Sequence, residues 1–204
     1  RSPSRGLGDV YKRQSQYTPL PPSGYTATWQ VTDTGHEAVV EMRWDNEAWT
    51  AECYHSDERV NFVIRLSPTW HLRQFILFRD MTEPDLWLAT DGAGRWGEMN
   101  GAHRTELDGC RGIDIAGTPF TNVLMIHQLP LQVGDAAEVP VIHVDLETLA
   151  TKPFTQIYTR HGERTWSYHS LATDKQVMVE VDEYGFVNDE PGSFRRDRGS
   201  SARQ

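Results

Sequence analysis

The sequence predicts an all-β protein with a single domain, built on a curved antiparallel sheet that wraps into a roll or partial barrel. Short alternating or β-branched runs follow one another through most of the 204 residues, with turn-forming residues between them. Glycines at positions 92, 94, 97, 101, 109, 112 and 117 lie among apolar residues, which is typical of short strands joined by tight turns. A sheet with this many strands must curve, close or pack on itself to avoid a long bare edge.

The domain is expected to have short flanks of a different character. Residues 4–14 resemble the translated read-through of a transposon adapter used in sequencing libraries, so residues 1–14 are interpreted as non-native and dispensable. Residues 15–24 are Pro-rich and predict a loose lead-in. Residues 25–196 then form the β-roll domain, and residues 197–204 form a polar tail.

The first half of the domain has the pattern of consecutive hairpins. Alternation is clearest in Val60–Leu66, where every second residue is apolar. Turn-like breaks at residues 33–35, 45–47 and 56–58 separate neighbouring runs. The predicted strands are Tyr25–Thr32, Glu37–Trp44, Ala48–His55, Val60–Leu66, 70–79 and Leu86–Thr90.

The second half continues this pattern after the glycine-rich stretch. Two segments, Thr121–Gln128 and Leu146–Lys152, could form short helical turns. The predicted strands are Val139–Asp145, Phe154–Arg160, Thr165–Ser170, Val177–Val181 and Phe186–Val187.

Composition argues against several classes of protein. The formal net charge of -9 would repel nucleic acid, and the densest basic run, Arg195–Arg198, is short. The longest apolar run, Phe75–Phe78, falls far short of the roughly 20 residues of a transmembrane helix. Cys53 and Cys110 have no framework spacing, so we expect two reduced thiols and a cytoplasmic location.

No catalytic or metal-binding motif stands out, so no cofactor and no metal are expected. The histidines are scattered and lack the spacing of a zinc site. Asp91, Asp108 and Asp114 could act as acid and base in a small-substrate hydrolase or isomerase, but solvated charges and turn caps are the favoured explanation. Cys110 beside Arg111 could be an activated nucleophile or a small core residue. An enzymatic role is therefore not favoured.

The segment Thr118–Asn122 predicts a corner in the chain. Pro119 restricts Thr118 to an extended conformation, and Phe120 needs a core or an anchoring surface. Asn122 could bond the local backbone, which we favour, or it could face a small-molecule pocket together with the aromatic ring.

Three motifs in the centre of the chain are distinctive, namely Asp91-Gly92-x-Gly94-x-Trp96, Leu107-x-Gly109-Cys110-x-x-Ile113-Asp114-Ile115 and Thr118-Pro119-Phe120-Thr121-Asn122. Together with segments on both sides, over about residues 27–196, they resemble the family of "Putative glycolipid-binding" proteins from bacteria. The family usually continues the last motif with a proline and two arginines, where this chain has Met125, His127 and Gln128.

The resemblance implies a spiral β-roll that binds an amphipathic lipid or glycolipid in its apolar interior without catalysis. A roll filled by its own side chains, with no ligand, is the structural alternative. Polar groups would orient the head group at the mouth, aromatic rings would form the wall between sugar and chain, and His127 would replace an arginine only when protonated. The candidate ligand-binding residues are Trp96, Phe120, Asn122, His127, Gln156 and Tyr158.

Overall fold

The computed structural model describes residues 16–56, 60–79 and 82–199. The predictions for residues 1–14, for turn residues 57 and 58, and for residues 200–204 of the tail lie outside the described residues. Within the described ranges the chain forms thirteen strands, one α-helix and one 3₁₀ turn. These elements are β1 Tyr25–Val31, β2 Glu37–Asp45, β3 Ala48–His55, β4 Asn61–Leu66, β5 Leu72–Phe78, β6 Leu86–Thr90, β7 Trp96–Glu98, the 3₁₀ turn Thr105–Leu107, β8 Gly112–Ile115, α1 Phe120–Gln128, β9 Ala136–Val144, β10 Thr151–Arg160, β11 Thr165–Ser170, β12 Lys175–Glu180 and β13 Phe194–Arg196.

The strands form two sheets, so the all-β prediction is confirmed, with two sheets in place of one continuous sheet. The first sheet has eight antiparallel strands in the order β13-β1-β2-β3-β4-β5-β6-β7. The second has the order β12-β11-β10-β9-β8, in which β8 pairs with β9 in parallel. Because β13 pairs with β1, the last strand of the domain is anchored beside the first.

The hairpins follow from the sequence pattern. In β4 the alternating residues Phe62, Ile64 and Leu66 are buried, whereas Arg65 faces outward. The turn between β2 and β3 places Asn46 and Glu47 at positive φ, 49° and 59°, which is the twist that two-residue hairpins favour.

Two of the minor predictions need correction. The predicted helical turn at Leu146–Lys152 is a single turn: the Leu149 N–H donates to the Asp145 carbonyl at 2.8 Å, and the Asp145 carboxylate accepts from the N–H groups of Glu147 and Thr148. It does not continue to Lys152, because β10 begins at Thr151. Phe186–Val187 is not a strand, since only Val187 makes a bridge, to Val181.

Helix α1 extends the predicted Thr121–Gln128 turn to nine residues and fills the space between the sheets. Thr118 Oγ1 accepts a hydrogen bond from the Phe120 N–H, and Pro130 lies just beyond the last turn, where a helix cannot continue. Phe120, Val123, Leu124 and Met125 are 0% exposed, as expected for a helix with apolar residues on all sides. The interior is therefore occupied by side chains.

Gly112 leaves room for the Met125 side chain of this helix beside β8. A Cβ atom at Gly112 would lie 2.9 Å from Met125 Cε, which is closer than two carbon atoms can approach. The end of the Met125 side chain would then have to move.

The lead-in at residues 16–24 is packed, contrary to the expectation of a loose segment. Tyr17 and Leu20 are 8% and 7% exposed. The indole Nε1–H of Trp166 donates to the Tyr17 hydroxyl at 2.8 Å, and the Thr18 N–H donates to the Glu183 carbonyl at 2.9 Å. Burial of two apolar side chains thus offsets the local preference of a Pro-rich segment for extended, solvated chain.

Candidate functional site

Trp96 and Phe120, two of the candidate site residues, are part of the core. The Trp96 indole N–H donates to the Cys110 carbonyl at 3.0 Å, and the ring is 2% exposed. The Phe120 ring is fully buried and stacks on Phe186 with ring centroids 5.9 Å apart. Both rings therefore contact protein atoms on all sides in this structure.

Asn122, Gln156 and Tyr158 come together, although they lie far apart in the sequence. The Tyr158 hydroxyl lies 2.8 Å from Asn122 Oδ1 and 2.6 Å from Gln156 Oε1. Gln156 and Tyr158 share one face of β10, and Asn122 reaches them from the first turn of α1. Asn122 thus bonds a side chain in place of the local backbone that the sequence suggested.

In this amide–phenol cluster of Asn122, Gln156 and Tyr158, two amide oxygens lie within hydrogen-bond distance of a single hydroxyl group. A phenol donates one hydrogen bond, so only one of the two amide oxygens receives the proton of Tyr158. Burial, followed by the negative charge of Asp114, raises the pKa of Tyr158 well above its usual value, so the phenol stays protonated. That hydroxyl cannot satisfy both amides as acceptors.

At its exposed end the cluster continues into a carboxylate, an imidazole and an aromatic ring. Asp114 on β8 and His143 on β9 are paired residues, and Asp114 Oδ2 lies 2.9 Å from His143 Nδ1. The side chains remain 25% and 29% exposed. The His143 ring stacks on Phe154, with centroids 4.6 Å apart and an interplanar angle of 10°.

These residues share the face of the second sheet that packs on α1. Phe154 lies two residues before Gln156 on β10, which places both side chains on one face. We call these two neighbouring groups together the polar belt; it consists of Asp114, His143 and Phe154 in one group and of Asn122, Gln156 and Tyr158 in the other. The belt runs from a partly exposed end at Asp114 to a buried end at Tyr158.

Beyond Tyr158 a second polar chain leads back to the surface. The rings of Tyr158 and Tyr168 lie 6.1 Å apart, and the Tyr168 hydroxyl donates to Glu190. Glu190 also accepts from Lys175 Nζ at 3.0 Å, and the Lys175 side chain is 55% exposed. Burial and the Glu190 carboxylate raise the pKa of Tyr168. Polar groups thus extend across one face of the second sheet, from its edge strand β8 to its other edge strand β12.

His127 lies outside the belt, at the other end of α1. Its ring stacks on Trp70 with centroids 3.7 Å apart and an interplanar angle of 6°. Burial lowers the pKa of His127 to about 3, although a hydrogen bond with the Tyr184 backbone opposes that shift. The imidazole is therefore neutral near pH 7 and does not carry the positive charge of an arginine.

Asp91 and Asp108 have structural roles that match the turn-cap interpretation. The Asp91 carboxylate accepts from the N–H groups of Ala93 and Arg95. Asp108 accepts from the Trp96 N–H and lies 2.9 Å from His103 Nε2. These hydrogen bonds lower the pKa of both carboxyl groups, whereas a general acid needs a raised pKa.

Cys110 is not an activated nucleophile. Burial, followed by the nearby charge of Asp108, raises the pKa of its thiol to about 11. Cys53 is also buried and free. Neither thiol is a thiolate at neutral pH.

The described residues form neither a metal-binding cluster nor a membrane-spanning helix. Among the described residues, no group of three or more His, Cys, Asp or Glu side chains is arranged to hold a metal ion. Within those same ranges, no helix has the length and apolar character needed to cross a bilayer.

Two open grooves lie along strands β2, β3 and β4 of the first sheet. They have volumes of about 370 and 400 Å³ and share Glu52 and Val63. Trp44, 40% exposed, lines the first groove beside Arg43 and Thr50. No predicted site residue lines either groove.

The sequence interpretation missed half of the belt. Phe154 could have been found from the alternation that places Gln156 and Tyr158 on its face. From the sequence, Asp114 is a possible catalytic acid or base or a solvated charge, and His143 is one of the scattered histidines that lack the spacing of a zinc site. Their contact depends on the parallel pairing of β8 and β9, for which four residues of sequence carry no signal.

Comparisons with known proteins agree with this fold. Residues 26–196 match the protein family described as "Putative glycolipid-binding". A crystal structure of a DUF1089 family protein from Pseudomonas aeruginosa is similar, with a TM-score of 0.64 and 27% sequence identity. That similarity covers 88% of this chain and 95% of the other. No curated protein matches the sequence.

Proposed function

The chain belongs to the family described as "Putative glycolipid-binding", and from this premise we propose that it binds the sugar head group of an amphipathic glycolipid at the polar belt. The observation that carries the proposal is the convergence of amide, phenol, carboxylate and aromatic groups on one sheet face. This is the mixture that small-molecule sites use to fix the orientation of a ligand.

The exposed end of the belt suits a pyranose ring. Phe154 is partly buried and offers an apolar face for the C–H side of a sugar. Asp114 can accept hydrogen bonds from sugar hydroxyls, and His143, held by Asp114, is fixed in orientation.

The buried end supplies two amides that share one phenol hydroxyl. Tyr158 donates a single proton, so its hydroxyl cannot satisfy both Asn122 and Gln156 as acceptors. A ligand hydroxyl, which can donate and accept, would bond one of these amides in a buried setting.

The proposal assigns the head group, and not the acyl chain, to this site. Val123 and Met125 of α1 are fully buried in the interior where the sequence suggested that a chain would lie. A chain could enter only by displacing such side chains, so we place it outside the core.

Saturation-transfer NMR with alkyl glycosides tests the proposal. The probes are n-octyl β-D-glucoside, n-octyl β-D-galactoside and n-octyl α-D-mannoside, each below its micellar concentration, with n-octanol as the sugar-free comparison. We expect transfer to the sugar protons of at least one glycoside and none to octanol. Phe154→Ala should weaken that binding about 10-fold, which corresponds to about 1.4 kcal/mol.

Ile157→Ala is the matched control, because Ile157 lies on β10 but on the opposite face of the sheet. It should leave binding unchanged. Equal weakening by both variants would assign the effect to strand stability, and an absence of transfer from all three glycosides would refute the proposal.

A further inference from the structure

The side chain of Tyr17 fills a pocket at the end of α1 farthest from Asn122. Its ring centroid lies 5.2 Å from that of His127, and its hydroxyl accepts the indole N–H of Trp166 at 2.8 Å. Gly185, with φ of +82°, forms another wall. A Cβ atom at Gly185 would lie 2.7 Å from both His127 Nε2 and Tyr17 Cδ2, so only glycine leaves room for a ring here.

The pocket holds one donor and one acceptor, and the Tyr17 hydroxyl is the partner of the donor. Trp166 is fully buried, so its indole N–H would have no partner without the Tyr17 hydroxyl. His127 Nε2 is also buried and has no hydrogen-bond partner among the residues that the structure describes. Because His127 bonds the Tyr184 backbone and is neutral, this nitrogen presents a lone pair.

The segment that supplies Tyr17 differs from the walls of the pocket. Trp166 and His127 belong to β11 and α1, inside the range 26–196 that matches the family. Residues 16–24, here called the strap, precede that range. The strap is held by the buried side chains of Tyr17 and Leu20 and by the bond from the Thr18 N–H to Glu183.

We propose that this pocket is a second binding site, for a ring that carries two neighbouring hydroxyl groups, and that the strap occupies it in competition with the ligand. One hydroxyl would accept from Trp166 Nε1–H, as the Tyr17 hydroxyl does. The second would donate to His127 Nε2, which Tyr17 leaves unpartnered. The vicinal diol of a sugar or cyclitol has this pattern, and a simple phenol does not. The site does not depend on the polar belt.

The test is titration of the full chain, as parent and as Tyr17→Ala, with cis-1,2-cyclohexanediol and with cyclohexanol. These two probes share a ring and differ in one hydroxyl. The readout is the indole Nε1–H resonance of Trp166, assigned with Trp166→Phe. We expect the diol to shift this resonance in Tyr17→Ala, with an affinity at least 10-fold higher than in the parent, because the competing side chain is gone.

The hydroxyl pattern is tested in the same variant. The diol should bind about 5- to 10-fold more tightly than cyclohexanol, which is the worth of about one net hydrogen bond. His127→Phe in the Tyr17→Ala background should abolish that preference. Equal affinities for the two probes would overturn the proposed ligand class, and an unshifted Trp166 resonance with both probes would overturn the site.

Tyr17→Phe provides a second route if Tyr17→Ala folds poorly. This variant keeps the ring but leaves the Trp166 N–H without its acceptor. We expect it to bind the diol several-fold more tightly than the parent, because the strap is held less firmly. Parent-like affinity in Tyr17→Phe would contradict competition by the strap.

Discussion

Replacing His127 with phenylalanine should make the free energy of unfolding depend less on pH below pH 6.5. The variant keeps an aromatic ring against Trp70 and removes the imidazole, which can be protonated. It loses the bond to the Tyr184 backbone, so a constant loss of stability at all pH values is expected as well.

The size of the pH effect follows from the pKa of His127. Burial lowers it to about 3, from a usual value of 6.5. Between these two values the unfolded chain binds a proton at this residue and the folded chain does not. The free energy of unfolding therefore falls on acidification by up to about 1.4 kcal/mol per pH unit. From pH 6.5 to pH 4 the loss amounts to about 3 kcal/mol, and raising the pH restores it.

Urea denaturation of the parent and His127→Phe at pH 6.5, 5 and 4 measures this effect. The parent should lose about 3 kcal/mol more than the variant across this range. His169→Phe, at a partly exposed ring that faces Asp174, controls for the general removal of an imidazole. Parallel curves for the parent and His127→Phe, within about 0.5 kcal/mol, would refute the assignment of a buried neutral histidine.

Three further predictions concern the core and the polar belt. Tyr158→Phe should destabilise the fold by about 1–3 kcal/mol in urea denaturation, because the phenol partner of two buried amides is lost; a change below about 0.5 kcal/mol would contradict the network. Phe120→Ala should cost about 3–5 kcal/mol, since the ring is fully buried, and a melting temperature equal to the parent's would be inconsistent with that burial. Cys53 and Cys110 should resist thiol reagents in the native protein at pH 7 and both react after denaturation without reductant; fewer than two reactive thiols would indicate a disulfide.

Most strands were predictable because their signal is local. In β4, alternation alone identified the buried residues Phe62 and Ile64. The same rule, applied to β10, puts Gln156 and Tyr158 on one face. The turns also have local causes, such as positive φ at Asn46.

Contacts between distant segments could not be predicted in this way. Asp114 meets His143 through a parallel pairing in a short strand that has no distinctive alternation. The sequence predicts a loose segment around Tyr17 because residues 15–24 are Pro-rich, but its partner Trp166 lies 149 residues away. Local composition predicts the conformation that a segment prefers by itself, and it does not predict which distant residues the segment will contact.

The role of α1 shows the same limit. Residues 121–128 were recognised as a possible helical turn, and apolar residues on every side of a helix are typical of a buried one. Whether that helix would fill the roll or border an open interior depends on how both sheets close around it. The candidate residues Trp96 and Phe120 were consequently placed at a wall, and the structure has them in the core.

Native mass spectrometry of protein purified without detergent from a bacterial host that makes glycolipids tests the central claim most directly. We expect a retained adduct that fragments to a sugar and an acyl chain, abundant in the parent and in Ile157→Ala and reduced about 10-fold in Phe154→Ala. Head-group binding at the polar belt would be contradicted by an adduct without sugar or by an adduct equally abundant in Phe154→Ala. It would also be contradicted if the parent retained no adduct and bound none of the alkyl glycosides.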